Sequence, residues 1–264
     1  MSATAIIPAR MAATRFPDKP LADLNGLPMV MHCYYRAQLA KLIDEVVITT
    51  CDLVIAEVAR SYGAAVVMTS DVHTNAVDRT AEAVRNLQTA GHPNLETIVL
   101  VQGDEPTLNP ETLDLLVSTI NRDPGIEILN VMVPFSCLDD YLDPNNPKVA
   151  VGSTGDALYM SREAIPSAWK AWDATITHMQ TGLFAFRPEA LEWFSTTART
   201  ELEKSESIDM LRMLYHGHPV RMMVVNEPSV GVDTPEDLAR VRDMLAVDPW
   251  VARYPGHLDV TAVR

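Results

Sequence analysis

The 264 residues are 47% hydrophobic and 21% charged, a composition that argues for a folded globular protein and against disorder. A formal net charge of −14 argues against binding nucleic acid or anionic membranes over a broad surface, and no apolar run approaches the ~18 residues of a membrane span. Cys33, Cys51 and Cys137 show neither metal-ligand spacing nor the even count of a disulfide framework, and Arg10 interrupts the first apolar run before it could serve as a signal peptide, so a soluble cytoplasmic protein with reduced thiols is expected.

Ala3 to Ile7 reads as a short buried strand that Pro8 stops by removing a ladder donor. Arg10, Arg15 and Lys19 follow in a stretch that also holds Pro17 and Pro20, which predicts a cationic loop. Asn25-Gly26 is a turn signal. A helix is predicted from Pro28 to Ala40, with Met31, Tyr34, Tyr35 and Leu39 as its core face. Glu45 to Thr49 is a second strand, Asp52 to Tyr62 a helix closed by Gly63, and Ala64 to Met68 a third strand. His73 to Arg79 reads as a polar loop and Thr80 to Thr89 as a helix. Glu96 to Val101 is a fourth strand, and Asn109-Pro110-Glu111 opens the next helix with a cap and a first-position proline. Strands alternating with helices at these intervals predict an α/β fold around a mostly parallel sheet covered on both faces.

Beyond Glu127 the pattern changes. Glu127 to Pro134 is a strand, Asp139 to Pro147 is turn-rich, and Lys148 to Val151 pairs with Ala157 to Ser161 as a hairpin. Trp169 and Trp172 sit in a loop excursion. Gly182 to Arg187 and Val220 to Val225 are strands; Pro188 to Phe194 and Ile208 to His216 are helical. Thr234 caps a helix running to Leu245, with Pro235 at its first position and an acidic residue three on. One domain over residues 1–248, with an inserted hairpin arm at about 130–190 and a loosely held tail over 249–264, is the simplest organisation.

Three stretches can carry chemistry. A cationic loop at the carboxyl end of a first strand suits a polyanionic ligand, or is an ordinary solvated loop. Gln102-Gly103-Asp104-Glu105 leaves a carboxylate where a buried strand ends; Asp104 either turns the strand exit or holds Mg2+, which takes carboxylate and phosphate oxygens. Asp233, just ahead of a capped helix, is either a turn former or a second metal carboxylate. Two carboxylates, a metal ion and a cationic loop are the minimum set for attack on a nucleotide α-phosphate. No Walker A motif is present, and no Rossmann glycine fingerprint follows the first strand, which argues against a P-loop NTPase and a nicotinamide dehydrogenase. Arg79 suits a substrate carboxylate or phosphate, or equally a surface ion pair with Asp78; Arg162 and Arg187 carry the same ambiguity at strand ends.

In their order, these motifs resemble the CMP-Kdo synthetases (3-deoxy-manno-octulosonate cytidylyltransferases). The resemblance is carried by Ile7-Pro8-Ala9-Arg10 with Thr14-Arg15 and Lys19-Pro20, Asn25-Gly26, His73 with Asp78-Arg79, Val101 to Pro106, Lys148-Val149, Ala157-Leu158-Tyr159 with Ser161-Arg162, Gly182 with Arg187, and Gly231 to Leu238. It spans Ile6 to about Leu245. It implies a Rossmann-like three-layer α/β/α fold, a homodimer formed through the inserted arm, and a role in lipopolysaccharide biosynthesis. The implied reaction is CTP plus a 3-deoxy-ulosonic acid to CMP-sugar and pyrophosphate, with Mg2+.

On this resemblance Arg10, Arg15 and Lys19 would bind and polarise the triphosphate, with Pro8, Ala9, His73 and Asp104 completing the nucleotide site. Asp104 and Asp233 would hold the metal, and Arg79, Gln102, Arg162, Gln180 and Asp209 would face the acceptor. The nucleophile would be the sugar's anomeric hydroxyl. The chain departs from the family pattern at Asn75-Ala76-Val77 (Ser-Gly-Thr in the family), at Gln180 (His) and at Asp209-Met210 (Glu-Gln), while Leu202, Glu203 and Glu206 are kept. All three departures fall on acceptor segments. Kdo is therefore the default acceptor, with an 8-amino analogue, another ulosonic acid or a phosphonate as alternatives on the same chemistry. A CTP-binding regulatory module without catalysis is the alternative of another class; retention of Lys19, Asp104 and Asp233 argues against it.

Overall fold

The opening apolar run is β1 (Ala3–Pro8), buried along its length except at Pro8. In the computed structural model, which describes residues 2–11, 16, 18–92 and 95–255, the chain continues through β2 (Asp23–Leu24), β3 (Leu27–Pro28), α1 (Met29–Gln38), β4 (Glu45–Thr50), α2 (Leu53–Ser61), β5 (Ala65–Met68), α3 (Ala76–Thr89), β6 (Thr97–Leu100) and α4 (Pro110–Arg122). Then follow β7 (Ile128–Pro134), α5 (Leu138–Leu142), β8 (Lys148–Val151), β9 (Ala157–Ser161), β10 (His178–Phe186), α6 (Pro188–Thr196), α7 (Glu201–Glu206), α8 (Leu211–Tyr215), β11 (Arg221–Val224) and α9 (Pro235–Ala246). These elements form two units, one of residues 2–95, 99–115 and the described residues from Ser229 on, the other of residues 96–98 and 116–228. No helix among the described residues is long and apolar enough to cross a membrane.

The first unit is built on strands in the order β6-β1-β4-β5, with β4 parallel to β1 and to β5, Ile6 opposite Val47 and Val47 opposite Ala65. Strands β1, β4 and β6 are buried almost throughout, as parallel strands covered on both faces must be, whereas β5 at the edge is partly exposed. Asn25 and Gly26 both adopt positive φ, 56° and 86°, and make the two-residue turn between β2 and β3. Helix α1 differs from the expected amphipathic helix, because every residue from Met29 to Ala37 is buried. Its polar members are paired: His32 Nε2 lies 2.9 Å from the Leu24 carbonyl, and Arg36 Nε donates to the Tyr254 hydroxyl at 2.9 Å. Arg36 also pairs with Asp248 and donates to the Leu108 carbonyl at 3.3 Å. Tyr254, expected in a loosely held tail, is thus only 3% exposed.

Helix α3 begins at Ala76, four residues before the expected start. The Asn75 side chain accepts the Asp78 N–H at 2.7 Å and donates to its carboxylate at 2.6 Å, so residues expected in a loop form a capped first turn. Helix α9 starts as expected, with the Thr234 hydroxyl accepting the Asp237 N–H and the Asp237 carboxylate accepting the Thr234 N–H.

In the second unit the order is β11-β7-β10, with β10 antiparallel to β7, β11 parallel to it, and the expected hairpin β8–β9 joined to β10. Strand β10 starts at His178, ahead of the expected Gly182, and is irregular between Gln180 and Phe184. Asn130 fills that irregularity by donating to the carbonyls of Thr181 at 3.0 Å and Leu183 at 2.9 Å. The segment expected to be turn-rich contains α5, whose first turn is capped by Cys137. Helix α7 was not expected. Ser207 closes it in the left-handed region (φ 53°), and α8 covers only Leu211–Tyr215 of the expected Ile208 to His216. The core of these helices holds a charged group: buried Glu203 accepts two bonds from Arg212, at 2.8 and 2.6 Å, and one from Arg199 at 3.0 Å. Burial alone would raise the Glu203 pKa, but its arginine partners outweigh that and hold it below the ordinary glutamate value.

The Arg36–Tyr254 contact has a measurable consequence. Tyr254→Phe leaves a buried guanidinium short of an acceptor and should lower the unfolding free energy by about 1–3 kcal/mol in denaturant melts. Tyr215→Phe, at an exposed position, should change it by less than about 0.5 kcal/mol. Equal effects would show that the C-terminal segment is not held by this contact.

Candidate active site

The site grows from the carboxyl ends of β1 and β6. Beyond β1, the Ala9 N–H donates to the Thr49 carbonyl at 2.9 Å and the Met11 N–H to the Asp52 carboxylate at 2.8 Å, so the chain leaves the sheet along a defined path. Beyond β6 the backbone turns at Gly103. A Cβ there would lie 2.7 Å from the Pro8 carbonyl oxygen, which leaves glycine as the residue this close approach admits. The two strand exits therefore touch, and between them and the N-terminus of α3 opens a cavity of about 370 Å³.

Most of the residues expected in the site line this cavity: Pro8, Ala9, Arg10, Lys19, His73, Arg79, Gln102, Asp104 and Asp233. Arg15, expected beside Arg10 and Lys19, lies outside the described residues, as do Thr14 and Pro17. Arg162, Gln180 and Asp209 belong to the second unit. There Arg162 donates to the carbonyls of Glu206 at 2.7 Å and Pro144 at 2.9 Å, the Gln180 amide donates to the Thr181 carbonyl at 2.6 Å, and the Asp209 carbonyl accepts the Arg212 N–H at 3.1 Å.

Lys19 is the centre of the cluster. Its ammonium lies 2.7 Å from Asp104 Oδ2 and 2.9 Å from Asp233 Oδ1. Burial disfavours the ammonium, but the attraction and hydrogen bonds of the two carboxylates outweigh it and raise the pKa above the ordinary lysine value. Lys19 therefore stays charged at neutral pH. Since one cation touches both carboxylates, a divalent ion could also draw on both. Among the described residues no group of three or more His, Cys, Asp or Glu side chains is arranged to hold a metal. An ion at Asp104 and Asp233 would take its remaining oxygens from phosphate and water, which is how Mg2+ binds at nucleotide sites.

The other cavity residues set shape and charge. Arg79 is 2% exposed and donates to Thr69 Oγ1 at 2.8 Å and to the Ser70 carbonyl at 3.1 Å, so it holds the loop after β5. Asp78, weighed as an ion-pair partner for Arg79, accepts from the Asn75 amide in the helix cap. The His73 ring pairs with Glu82, and the His73 carbonyl accepts from Arg10 at 3.4 Å.

Several residues that local sequence does not reveal bring Asp104 and Asp233 together. The Val232 N–H donates to the Asp104 carbonyl at 3.0 Å. Val232 itself is buried in an apolar cluster with Leu24, Met29, Val241 and Leu245, which anchors the segment carrying Asp233. Thr107 bonds Val230, and Ser229 donates to the Glu105 carboxylate. Burial raises the Glu105 pKa to about 7; the Ser229 bond and Lys19 oppose the rise and the neighbouring Asp104 and Asp233 charges add to it.

An α/β sheet whose strand exits bring Arg10, Lys19 and Asp104 to one cavity with Asp233 has the cations and paired carboxylates that a nucleotidyltransferase site needs. The chain matches the cytidylyltransferase family over residues 4–223. It is 38% identical over 256 residues to the 3-deoxy-manno-octulosonate cytidylyltransferase of Geobacter metallireducens, across 93% of this chain and 98% of that one. It is 37% identical over 255 residues to the protein of the same description from Geobacter sulfurreducens, across 93% and 100%. The solved structure of CMP:2-keto-3-deoxy-manno-octonic acid synthetase complexed with CTP superposes with a TM-score of 0.85 at 30% identity, over 93% of this chain and 99% of that one. The chain belongs to the cytidylyltransferase family and is an enzyme of the nucleotidyltransferase class.

The turn at Gly103 offers a direct check. Gly103→Ala should displace Asp104 and lower kcat by at least about tenfold, since relieving a contact of that kind requires the backbone to move. At Gly231 an added Cβ would meet the Asp104 carbonyl at an ordinary 3.7 Å, so Gly231→Ala should leave kcat within about twofold. Wild-type turnover in Gly103→Ala would show that the close approach does not matter.

Proposed function

We propose that the protein transfers CMP from CTP to the anomeric hydroxyl of a 3-deoxy-ulosonic acid and releases pyrophosphate. The observation that carries this reading is Lys19 seated between Asp104 and Asp233 in the cavity that Arg10 also lines. Kdo is the default acceptor, because the relatives above are described as 3-deoxy-manno-octulosonate cytidylyltransferases.

In the reaction the anomeric oxygen forms a bond to the α-phosphorus, the bond between that phosphorus and the bridging α–β oxygen breaks, and pyrophosphate carries the charge away. The hydroxyl proton passes to solvent. The attacking oxygen comes from the acceptor, so no side chain has to serve as nucleophile. Arg10 and Lys19 supply positive charge against the triphosphate, and in a half-buried cavity that charge is screened less than at the surface. Asp104 and Asp233 would hold Mg2+, which when bound neutralises phosphate charge and orients the phosphates for displacement. Arg79 keeps the loop carrying His73 in shape, and the first turn of α3 presents Asn75 and Ala76 to the cavity.

Asn75 and Ala76 also favour a second reading of the acceptor. They stand where the family pattern has other residues, and they line the cavity. The same chemistry on an 8-amino-Kdo analogue, another ulosonic acid or a phosphonate fits that departure, since changing a polar group in an acceptor pocket shifts specificity by orders of magnitude. We further propose a cytoplasmic enzyme of lipopolysaccharide synthesis that acts as a homodimer through the inserted arm at about 130–190, where Leu142, Leu158, Trp169 and Ile176 are exposed.

Pyrophosphate release from CTP and Mg2+ across a panel of these acids tests the reading. One acid should be turned over, and Asp104→Asn and Asp233→Asn should each cut kcat by at least about a hundredfold with an unchanged melting temperature. Kdo turned over far more slowly than another acid would reassign the acceptor. CTP binding with no release from any acid would replace the enzyme reading with a binding module.

A further inference from the structure

We infer that Thr107 and Ser229 are positioning residues that set the separation of Asp104 and Asp233, and through it the contribution of a divalent cation to CTP binding. This rests on the metal reading above. Asp104 follows β6, and Asp233 precedes α9 far along the chain, so nothing local holds the two carboxylates at a spacing one ion can bridge. They also repel one another, and the Glu105 carboxyl belongs to the same cluster. Lys19 offsets part of that charge, but it reaches each carboxylate through a long flexible stem, so it attracts without fixing a distance.

The distance is fixed below the carboxylates, by three links between the segment 104–107 and the segment 229–232. One is the backbone bond from Val232 to the Asp104 carbonyl. The second is a two-way clasp: Thr107 Oγ1 accepts the Val230 N–H at 2.6 Å and donates to the Val230 carbonyl at 3.3 Å, across 123 residues of sequence. A single hydroxyl thereby satisfies both backbone groups of one residue, as a neighbouring strand would. The third is Ser229, whose hydroxyl donates to the Glu105 carboxylate. That bond satisfies an oxygen of Glu105 and ties it to the opposite segment. Neither Thr107 nor Ser229 lines the cavity, so neither is placed to touch substrate. Their side chains act through the two aspartates.

Mg2+ demands near-ideal geometry, whereas a flexible ammonium does not. Loosening the clasp should therefore weaken the metal-dependent part of CTP binding and leave the metal-free part alone. The test is calorimetric titration of CTP, without any acceptor, into wild type, Thr107→Val, Thr107→Ser and Ser229→Ala, each in Mg2+ and in EDTA. Thr107→Val keeps the shape and removes the hydroxyl; Thr107→Ser keeps the hydroxyl. The ratio of the two dissociation constants measures what the metal adds. In Thr107→Val that ratio should fall about tenfold, with the EDTA value within about twofold of wild type, and Thr107→Ser should restore it. Ser229→Ala should move the ratio in the same direction, and it carries the measurement if Thr107→Val does not fold. A wild-type ratio in both Thr107→Val and Ser229→Ala would overturn the inference. So would an equal loss in Mg2+ and in EDTA, which would mark the clasp as merely structural. If Mg2+ fails to tighten CTP binding by the wild type, the metal reading falls and takes the inference with it.

Discussion

The site turns on one electrostatic problem: an acidic protein gathers Asp104, Glu105 and Asp233 in one place and must keep them there. Lys19 meets part of it by contributing a positive charge to both aspartates at hydrogen-bond distance. The backbone meets the rest, through the apolar anchoring of Val232 and the links from Thr107 and Ser229. The same arrangement explains why Gly103 is glycine. The two strand exits have to come within contact so that Asp104 can face the cavity that Arg10 and Lys19 line. A cluster of this kind has surplus negative charge, and a nucleotide delivered with a divalent cation is the ligand class that suits it.

The two units manage charge differently. In the first, Arg36 is buried under the loop that follows Asp104, bonded to the Leu108 carbonyl, Tyr254 and Asp248, so the C-terminal segment buttresses the base of the site. In the second, charged groups serve the backbone. Lys148 is fully buried and donates to the carbonyls of Asp143 and Arg162, at 2.6 and 2.8 Å, while burial lowers its pKa against the opposing pull of Asp143. Glu206 accepts from the Ser161 hydroxyl and the Arg162 N–H, both at 2.8 Å, and so closes β9 onto α7. Buried donors and acceptors matched in this way are costly to disturb one partner at a time.

What the sequence discloses and what it conceals divide along the same physical line. Strands such as β1, β4 and β6 were legible because burial on both faces demands unbroken apolar runs. The starts of α4 and α9 were legible because Asn109, Pro110, Thr234 and Asp237 act within a few residues of themselves. The start of α3 was not, because Asn75 and Asp78 look alike as a loop and as a cap. Helix α7 was missed because Glu201 to Glu206 is almost wholly polar and carries no apolar period. Of the residues that motifs single out, Lys19, Asp104, Asp233, Arg10 and His73 line the cavity. Thr107, Ser229, Asp52 and Tyr254 were not, because each makes its bond to a residue 41 or more positions away. Composition and period carry no trace of such contacts.

On the proposed reaction, Asp104 and Asp233 would jointly hold a divalent cation with the CTP phosphates. Anomalous diffraction from crystals grown with CTP and Mn2+ tests it most directly. The expected result is a single manganese peak within bonding distance of oxygens from both Asp104 and Asp233, with Lys19 against the triphosphate. A peak bound by neither aspartate, or CTP seated away from Arg10 and Lys19, would contradict the account.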